Sequence, residues 1–257
     1  MFKRLNYHWR QVFSGLGFIL FSLGGGLLVV TAFPLIRLVY RRPERRIAAT
    51  RTVIHNTFRV FVYYLHALRI LSFEMRNIEV LAACDGVIVV SNHTTLIDVV
   101  VIMSLLPNAQ CVVKHQLWNS MFLGGVVRAA GYVRNDEDAE VLIANCLKGI
   151  KAGGNLIIFP EGTRTLPGEV RKYQRGFANI AIQADVDIQC LVLSCRPLML
   201  WKGSRWHQVP DTRSHYIIEV VDRVKIDEFR HIESQAMAAR RVTEHTQRLI
   251  TERLANA

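Results

Sequence analysis

Two short stretches carry residue types that could do chemistry together. The first, SNHTTLID (Ser91–Asp98), sets His93 five positions before Asp98. A carboxylate at that spacing, folded back across a turn, accepts a hydrogen bond from one imidazole nitrogen and leaves the other free to take a proton. The spacing alone is weak evidence, because nine His and nine Asp in 257 residues produce it about 0.3 times by chance. It also has a purely structural account, with Thr94 or Thr95 capping a helix whose first turn holds Asp98. The second stretch, FPEGTR (Phe159–Arg164), places Glu161, Gly162, Thr163 and Arg164 directly after an apolar β-branched run. Its bland reading is a strand-to-turn exit with Glu161 paired to Arg164. Its chemical reading is a guanidinium and nearby donors aimed from a strand end at a phosphate monoester.

Both stretches need strands to hold them. After Glu74 the sequence alternates short β-branched runs with helical periodicity. Strands are expected at Gly86–Val90, Gln110–Val113, Asn155–Phe159, Ile188–Ser194 and Tyr216–Val221. Helices are expected at 96–106, 116–129, 137–151, 175–184 and 231–254. Acids at 136–140 opening the third of these helices, with Lys148 and Lys151 closing it, suit the helix dipole. The fold class this predicts is α/β, a mixed sheet with flanking helices and with reactive residues at strand ends.

The N-terminal part has a different character. Residues 1–73 hold 11 Lys and Arg against the single acid Glu44, whereas residues 74–257 hold 21 against 20. Basic residues crowded around the most apolar part of the chain point to anionic membrane lipids and away from nucleic acid. From Gln11 to Ile36 there are 26 residues without a formal charge, about 39 Å as a helix against a hydrocarbon core of about 30 Å. Gly24, Gly25, Gly26 and Pro34 leave both a span and a bent, re-entrant path open. Residues 48–73 continue as a helix, with His55, Arg59, His66 and Arg69 on one face and Phe58, Phe61, Leu65 and Leu68 on another. The expectation is an in-plane lipid-binding helix, set against an ordinary amphipathic helix on a soluble core. The division that follows is a membrane-anchoring helical module over 1–73 and a chemistry-bearing domain over 74–257. The Arg cluster at 37–46 is expected to stay on the cytoplasmic side.

With these motifs in place, the chain resembles the 1-acylglycerol-3-phosphate (lysophosphatidic acid) acyltransferase family of glycerolipid acyltransferases. NHTTLID and FPEGTR are its two hallmark motifs, and the likeness covers roughly residues 74–200. The resemblance implies an O-acyltransferase, with His93 as general base and Asp98 as its orienting partner. It implies that Glu161, Gly162, Thr163 and Arg164 form the acceptor-binding loop, with Arg164 on the phosphate. Lys114, followed by Leu117 and Gly124, is similar to the family's phosphate-binding Lys region, and Arg134 in GYVR to its second motif, here with a shorter Gly131-to-Arg134 spacing. Cys190 stands where the family's fourth motif usually has Pro.

The implied co-substrate is a thioester, acyl-CoA or acyl-acyl carrier protein, with a lysophospholipid acceptor and no resident cofactor or metal. The implied location is the inner (cytoplasmic) membrane, with the catalytic domain facing the cytoplasm. Two other readings stay open: the same transfer to an accessory lysolipid such as a lyso-ornithine or aryl-polyene-type lipid, and a non-catalytic lipid-binding protein. Other chemistries lack their motifs. There is no G-x-S-x-G elbow and no P-loop, and Cys84, Cys111, Cys146, Cys190 and Cys195 form no C-x-x-C pair. These thiols read as reduced, mostly buried residues.

Overall fold

Runs such as VIVV and LIIF are apolar at every position, as strands covered by helices on both faces must be. In the computed structural model, which describes residues 2–166, 168–169 and 171–256, they lie inside a seven-stranded sheet. The chain begins with α1 (Phe2–Val30), α2 (Ala32–Val39) and α3 (Pro43–Ala67), and enters the sheet at β1 (Leu71–Arg76). A short α4 (Glu79–Ala82) leads to β2 (Ile88–Ser91), α5 (Asp98–Leu105) and β3 (Ala109–Val113). Then come α6 (His115–Trp118), α7 (Gly124–Ala129), β4 (Val133–Arg134), α8 (Ala139–Lys151) and β5 (Asn155–Ile158). The last part holds α9 (Gly176–Ala184), β6 (Ile188–Arg196), β7 (Ser214–Val224), a 3-10 turn and α10 (Gln235–Ala255).

The strand order is β1-β7-β6-β2-β5-β3-β4. β6, β2, β5, β3 and β4 run parallel, β7 runs antiparallel to β6, and β1 is parallel to β7. Alternate strand residues feed two cores. One face packs Val89, Leu193 and Tyr216 with Ile54 and Leu65 of α3 and Val101 and Ile102 of α5. The other packs Ile88, Val90 and Val192 with Ile150 of α8, Phe177 and Ile180 of α9, and Val242 and Ile250 of α10.

The five expected strands are present, and two more were not foreseen. Residues 71–73, expected as the end of a helix, belong to β1, so the boundary drawn between 73 and 74 falls inside a strand. The helix stops earlier because Arg69 takes a left-handed φ of 55°. Arg69 N then bonds His66 O and Ile70 N bonds Leu65 O, closing the last turn in a Schellman arrangement. The expected helix over 116–129 is split, with a turn at residues 119–123 between α6 and α7. At Gly124 a Cβ would stand 2.5 Å from the Trp118 carbonyl oxygen, so only glycine lets the chain double back this tightly.

The charge-free N-terminal run is helical, and its glycines do not break it. The break comes at Thr31, because Pro34 offers no N–H to the Val30 carbonyl. Lys3–Val39, with a mean hydropathy of 2.2 over its most apolar window, is long and apolar enough to cross a membrane. One side of α1 is fastened to the body. Trp9 Nε1 donates to Leu68 O (2.9 Å), Arg10 Nη2 to Pro210 O and Asp211 O (2.8 and 2.9 Å), and Tyr64 Oη to Phe13 O (2.7 Å). Further along, Phe21 stacks on Phe58 and Val29 sits on Gly125. The opposite side carries Leu5, Val12, Leu16, Ile19, Leu23, Leu27 and Val30, all exposed.

This arrangement changes the reading of α3. Phe58 and Phe61, expected to face lipid, pack on Phe21 of α1, while Ile54 and Leu65 are buried in the sheet core. α3 is therefore a packing helix between α1 and α5, closer to the ordinary amphipathic alternative.

Candidate active site

The parallel direction of β2, β5, β3 and β4 brings every sequence-selected residue to one edge of the sheet. His93 follows β2, Glu161–Arg164 follow β5, Lys114 follows β3, and Arg134 ends β4. With Val90 beside Ile158, the continuing chains put His93 level with Glu161. Open α/β sheets hold their ligands beyond this edge, outside the carboxyl ends of the strands.

His93 is fixed from both sides of the backbone. Asn92, buried just before it, donates Nδ2 to Leu193 O (2.8 Å) and accepts from Leu193 N (2.8 Å), so its amide stands in for a strand pair with β6. The imidazole stacks on Phe159 with ring centres 4.2 Å apart. Its Nδ1 lies 2.8 Å from Asp98 Oδ2. Asp98 has no exposed surface and opens α5. Oδ2 also accepts from Thr94 N (2.6 Å) and Thr95 N (2.9 Å), and Oδ1 accepts from Thr95 Oγ1 and from Tyr216 Oη (2.6 Å). A carboxylate so supplied with donors can be buried as an anion. It fixes the tautomer with the proton on Nδ1 and leaves Nε2 as an acceptor with no protein partner among the described residues. The His93 side chain keeps 20% of its surface exposed, enough for a reactant to reach it.

The FPEGTR turn is tied to the same histidine. His93 N donates to Glu161 Oε1 (3.2 Å), Thr165 N donates to His93 O (2.7 Å), and Thr165 Oγ1 donates to Glu161 Oε2. Glu161 thus has both carboxylate oxygens engaged by the protein, and its burial raises its pKa. Gly162 turns the chain with a φ of 70°, and a Cβ there would stand 2.8 Å from Gln174 Nε2. No Glu161–Arg164 ion pair forms. Arg164 instead donates Nη1 to Leu200 O (2.8 Å) and Trp201 O (3.2 Å), and burial lowers its pKa, partly offset by attraction to Asp98. Leu200 O also accepts from Leu96 N (3.0 Å), so one carbonyl fastens both motif loops. The remaining nitrogens of Arg164 are without protein partners among the described residues.

Lys114 is exposed at the start of α6, with no side-chain partner among the described residues. Arg134 is differently placed. Its fork is held by Asp136 (Nε to Oδ1 2.9 Å, Nη2 to Oδ2 2.5 Å) and lies 5.9 Å from the Trp118 ring centre. Sequence reasoning missed three contributors: Tyr216 on β7, Asn92 and the Leu200 carbonyl. Asp136, two residues beyond Arg134, was visible in the sequence and could have flagged that pairing.

The fold and part of the sequence are similar to those of known proteins. Residues 72–194 match the Acyltransferase family profile. The chain is 29% identical over 170 residues to a 1-acyl-sn-glycerol-3-phosphate acyltransferase of Cocos nucifera, covering 63% of this chain and 53% of that one. It is 27% identical over 195 residues to the human 1-acyl-sn-glycerol-3-phosphate acyltransferase alpha, covering 73% and 63%. The chain thus spans only about half to under two thirds of the length of these relatives. The crystal structure of the 1-acyl-sn-glycerophosphate (LPA) acyltransferase PlsC from Thermotoga maritima superposes with a TM-score of 0.71 at 17% identity, over 97% of each chain. The expected resemblance and the mixed α/β fold are both borne out. Within the matched residues 72–194 lie His93, Asp98, Lys114, Arg134 and Glu161–Arg164, whereas Tyr216 lies beyond them.

Proposed function

We propose that the protein is an O-acyltransferase that moves a fatty acyl chain from a thioester to the free hydroxyl of a lysophospholipid such as 1-acylglycerol 3-phosphate, giving phosphatidic acid. The observation that carries this reading is Nε2 of His93, without a protein partner among the described residues and backed by buried Asp98 at the sheet edge where Arg164 is also anchored. Nε2 takes the acceptor's hydroxyl proton as the oxygen attacks the thioester carbonyl. The tetrahedral adduct collapses by breaking the C–S bond, and the imidazolium returns the proton to the leaving thiolate. Base assistance of this kind contributes about 10² to 10⁴-fold. Asp98 orients the ring and stabilises its cation. Arg164 and Lys114 supply positive charge for the acceptor phosphate, while Glu161 holds the loop that presents Arg164. Arg134, already paired with Asp136, takes a lesser part. Acyl-CoA and acyl-acyl carrier protein both fit this chemistry as donors.

The same reading places residues 1–73 on the cytoplasmic leaflet of the inner membrane. α1 is bound to the folded body from Trp9 to Val29, about 30 Å of helix, and exposes its apolar stripe on the other side. A helix held lengthwise in this way supports lying along the bilayer surface over crossing it. Arg37, Arg41, Arg42, Arg45 and Arg46 then meet anionic headgroups.

Purified full-length protein, given a panel of lysolipids and labelled acyl-CoA or acyl-acyl carrier protein, is expected to form phosphatidic acid from 1-acylglycerol 3-phosphate, identified by mass spectrometry. Absence of any ester product across the panel would overturn the proposal.

A further inference from the structure

The Asp98 carboxylate receives four of its five donors from its own loop: His93, the Thr94 and Thr95 amides, and the Thr95 hydroxyl. The fifth, Tyr216, arrives from β7, 118 residues further along the chain. Its ring has no exposed surface. The strands on either side set its position, with Phe73 of β1 and Cys195 of β6 in register beside it. A residue held this firmly fixes the carboxylate it touches. We propose that Tyr216 is a positioning residue for the His93–Asp98 pair: its hydroxyl, 2.6 Å from Oδ1, sets the rotation of the carboxylate so that Oδ2 meets Nδ1, and tempers how strongly that carboxylate holds the imidazolium.

This deepens the acyltransferase reading, since it rests on His93 accepting the proton. The direction of the effect follows from the dipole. The hydroxyl hydrogen turned toward Oδ1 neutralises part of the carboxylate charge, so removing it leaves more charge for the imidazolium and raises the proton affinity of His93. The other polar groups near the pair are Glu161 and Arg164 from the loop after β5, Cys195 from β6, and Thr94 and Thr95. A Tyr216→Phe substitution leaves all of them in place.

The test is the titration of the His93 imidazole by NMR in full-length protein in micelles, with the signal assigned through a His93→Gln variant. In Tyr216→Phe the midpoint is expected to rise by about half to one pH unit. The acid limb of kcat should move with it. kcat itself should fall about tenfold while KM changes less than about twofold, as for loss of orientation at the reacting group. Tyr132→Phe, which removes another buried hydroxyl, bonded to Met103 Sδ (3.3 Å), should move neither readout. Should Tyr216→Phe fail to fold, 3-fluorotyrosine placed at position 216, a stronger donor, is expected to lower the midpoint. An unchanged His93 midpoint in a folded Tyr216→Phe or fluorotyrosine protein would overturn the proposal. A shifted midpoint in a protein with no transfer activity would leave Tyr216's role standing and overturn the acyltransferase reading instead.

Discussion

Two histidines in this molecule sit on carboxylates at almost the same distance. His93 Nδ1 is 2.8 Å from Asp98, and His215 Nε2 is 2.9 Å from Glu74, with the other nitrogen of His215 3.0 Å from the Ser72 hydroxyl. Read as distances alone, the second is the fuller constellation, a serine, a histidine and a glutamate in a row. Their surroundings separate them. Asp98 is fully buried and spends all its acceptor capacity on one loop and one tyrosine, whereas Glu74 and His215 are each more than 40% exposed and Glu74 is shared with Arg76. Solvent screens an exposed pair and leaves its geometry loose. Ser72, moreover, lies inside a strand, while His93 stands at the open edge beside Arg164. A carboxylate–imidazole pair becomes a base through burial on one side and access on the other.

Mutating each histidine is the strongest way to break this comparison. His93→Ala should lower transfer by about 10³-fold or more and Asp98→Asn by about 10²-fold or more, because the first removes the base and the second only its orientation. His215→Ala should stay within about twofold of the unchanged protein, since its partners are exposed. Steady-state rates on 1-acylglycerol 3-phosphate decide it. Near-normal turnover by His93→Ala would sink the mechanism, and a large loss in His215→Ala would mean that the edge cluster takes part in it.

Arg164 gives the next largest effect. Loss of a charge-assisted contact to the acceptor phosphate should raise its KM by about 10 to 100-fold in Arg164→Ala, with a phosphate-free lysolipid much less affected. Because Arg164 also binds the Leu200 and Trp201 carbonyls, equal losses on both acceptors would assign it to holding the loops together.

The contrast also marks what the sequence could reveal. His93, Asp98 and Glu161–Arg164 were legible because each motif is local and follows an apolar strand, so the strand order alone delivers them to one edge. Tyr216 was not, since nothing near it in sequence distinguishes a buried tyrosine that packs from one that donates to a carboxylate. Periodicity in α3 correctly separated Phe58 and Phe61 from Arg59 and His66, but it cannot say what covers an apolar face. Protein covers it, in the form of Phe21. β1 was hidden by the continuity of apolar residues from α3 across Arg69, where only a backbone angle marks the change.

Glu161 sharpens the comparison in a smaller way. With its oxygens taken by His93 N and Thr165, Glu161→Gln can keep one acceptor for His93 N and offer a donor to Thr165 Oγ1. Activity should therefore fall by no more than about tenfold, as expected for an altered hydrogen bond rather than a lost reactive group. A raised carboxyl pKa means that the folded state holds its proton above the unfolded range near 4.3, so Glu161 costs stability as pH rises through that window. Melting curves from pH 4 to 7 should decline less with rising pH in Glu161→Gln than in the unchanged protein. A loss of activity beyond a hundredfold would instead put the carboxylate in contact with reactants.

The smallest effect belongs to the exposed pair. His215 and Arg76 hold the Glu74 carboxyl below its ordinary range through their hydrogen bonds. A carboxyl whose folded pKa is depressed stabilises the protein above the unfolded pKa of about 4.3, and that contribution fades as pH falls through the lower folded value. Glu74→Gln should therefore lower Tm slightly at pH 6, and the difference from the unchanged protein should shrink by pH 3. Exposure keeps the difference small, and 0.5 M salt should reduce it further by screening. Transfer activity at neutral pH should not change, because Glu74 lies on the outermost strand and its partners are His215 and Arg76. A Tm difference that salt leaves untouched would show that Glu74 acts as a buried charge, and the contrast drawn with Asp98 would lose its basis; one that grows toward pH 3 would mean that its carboxyl is held protonated.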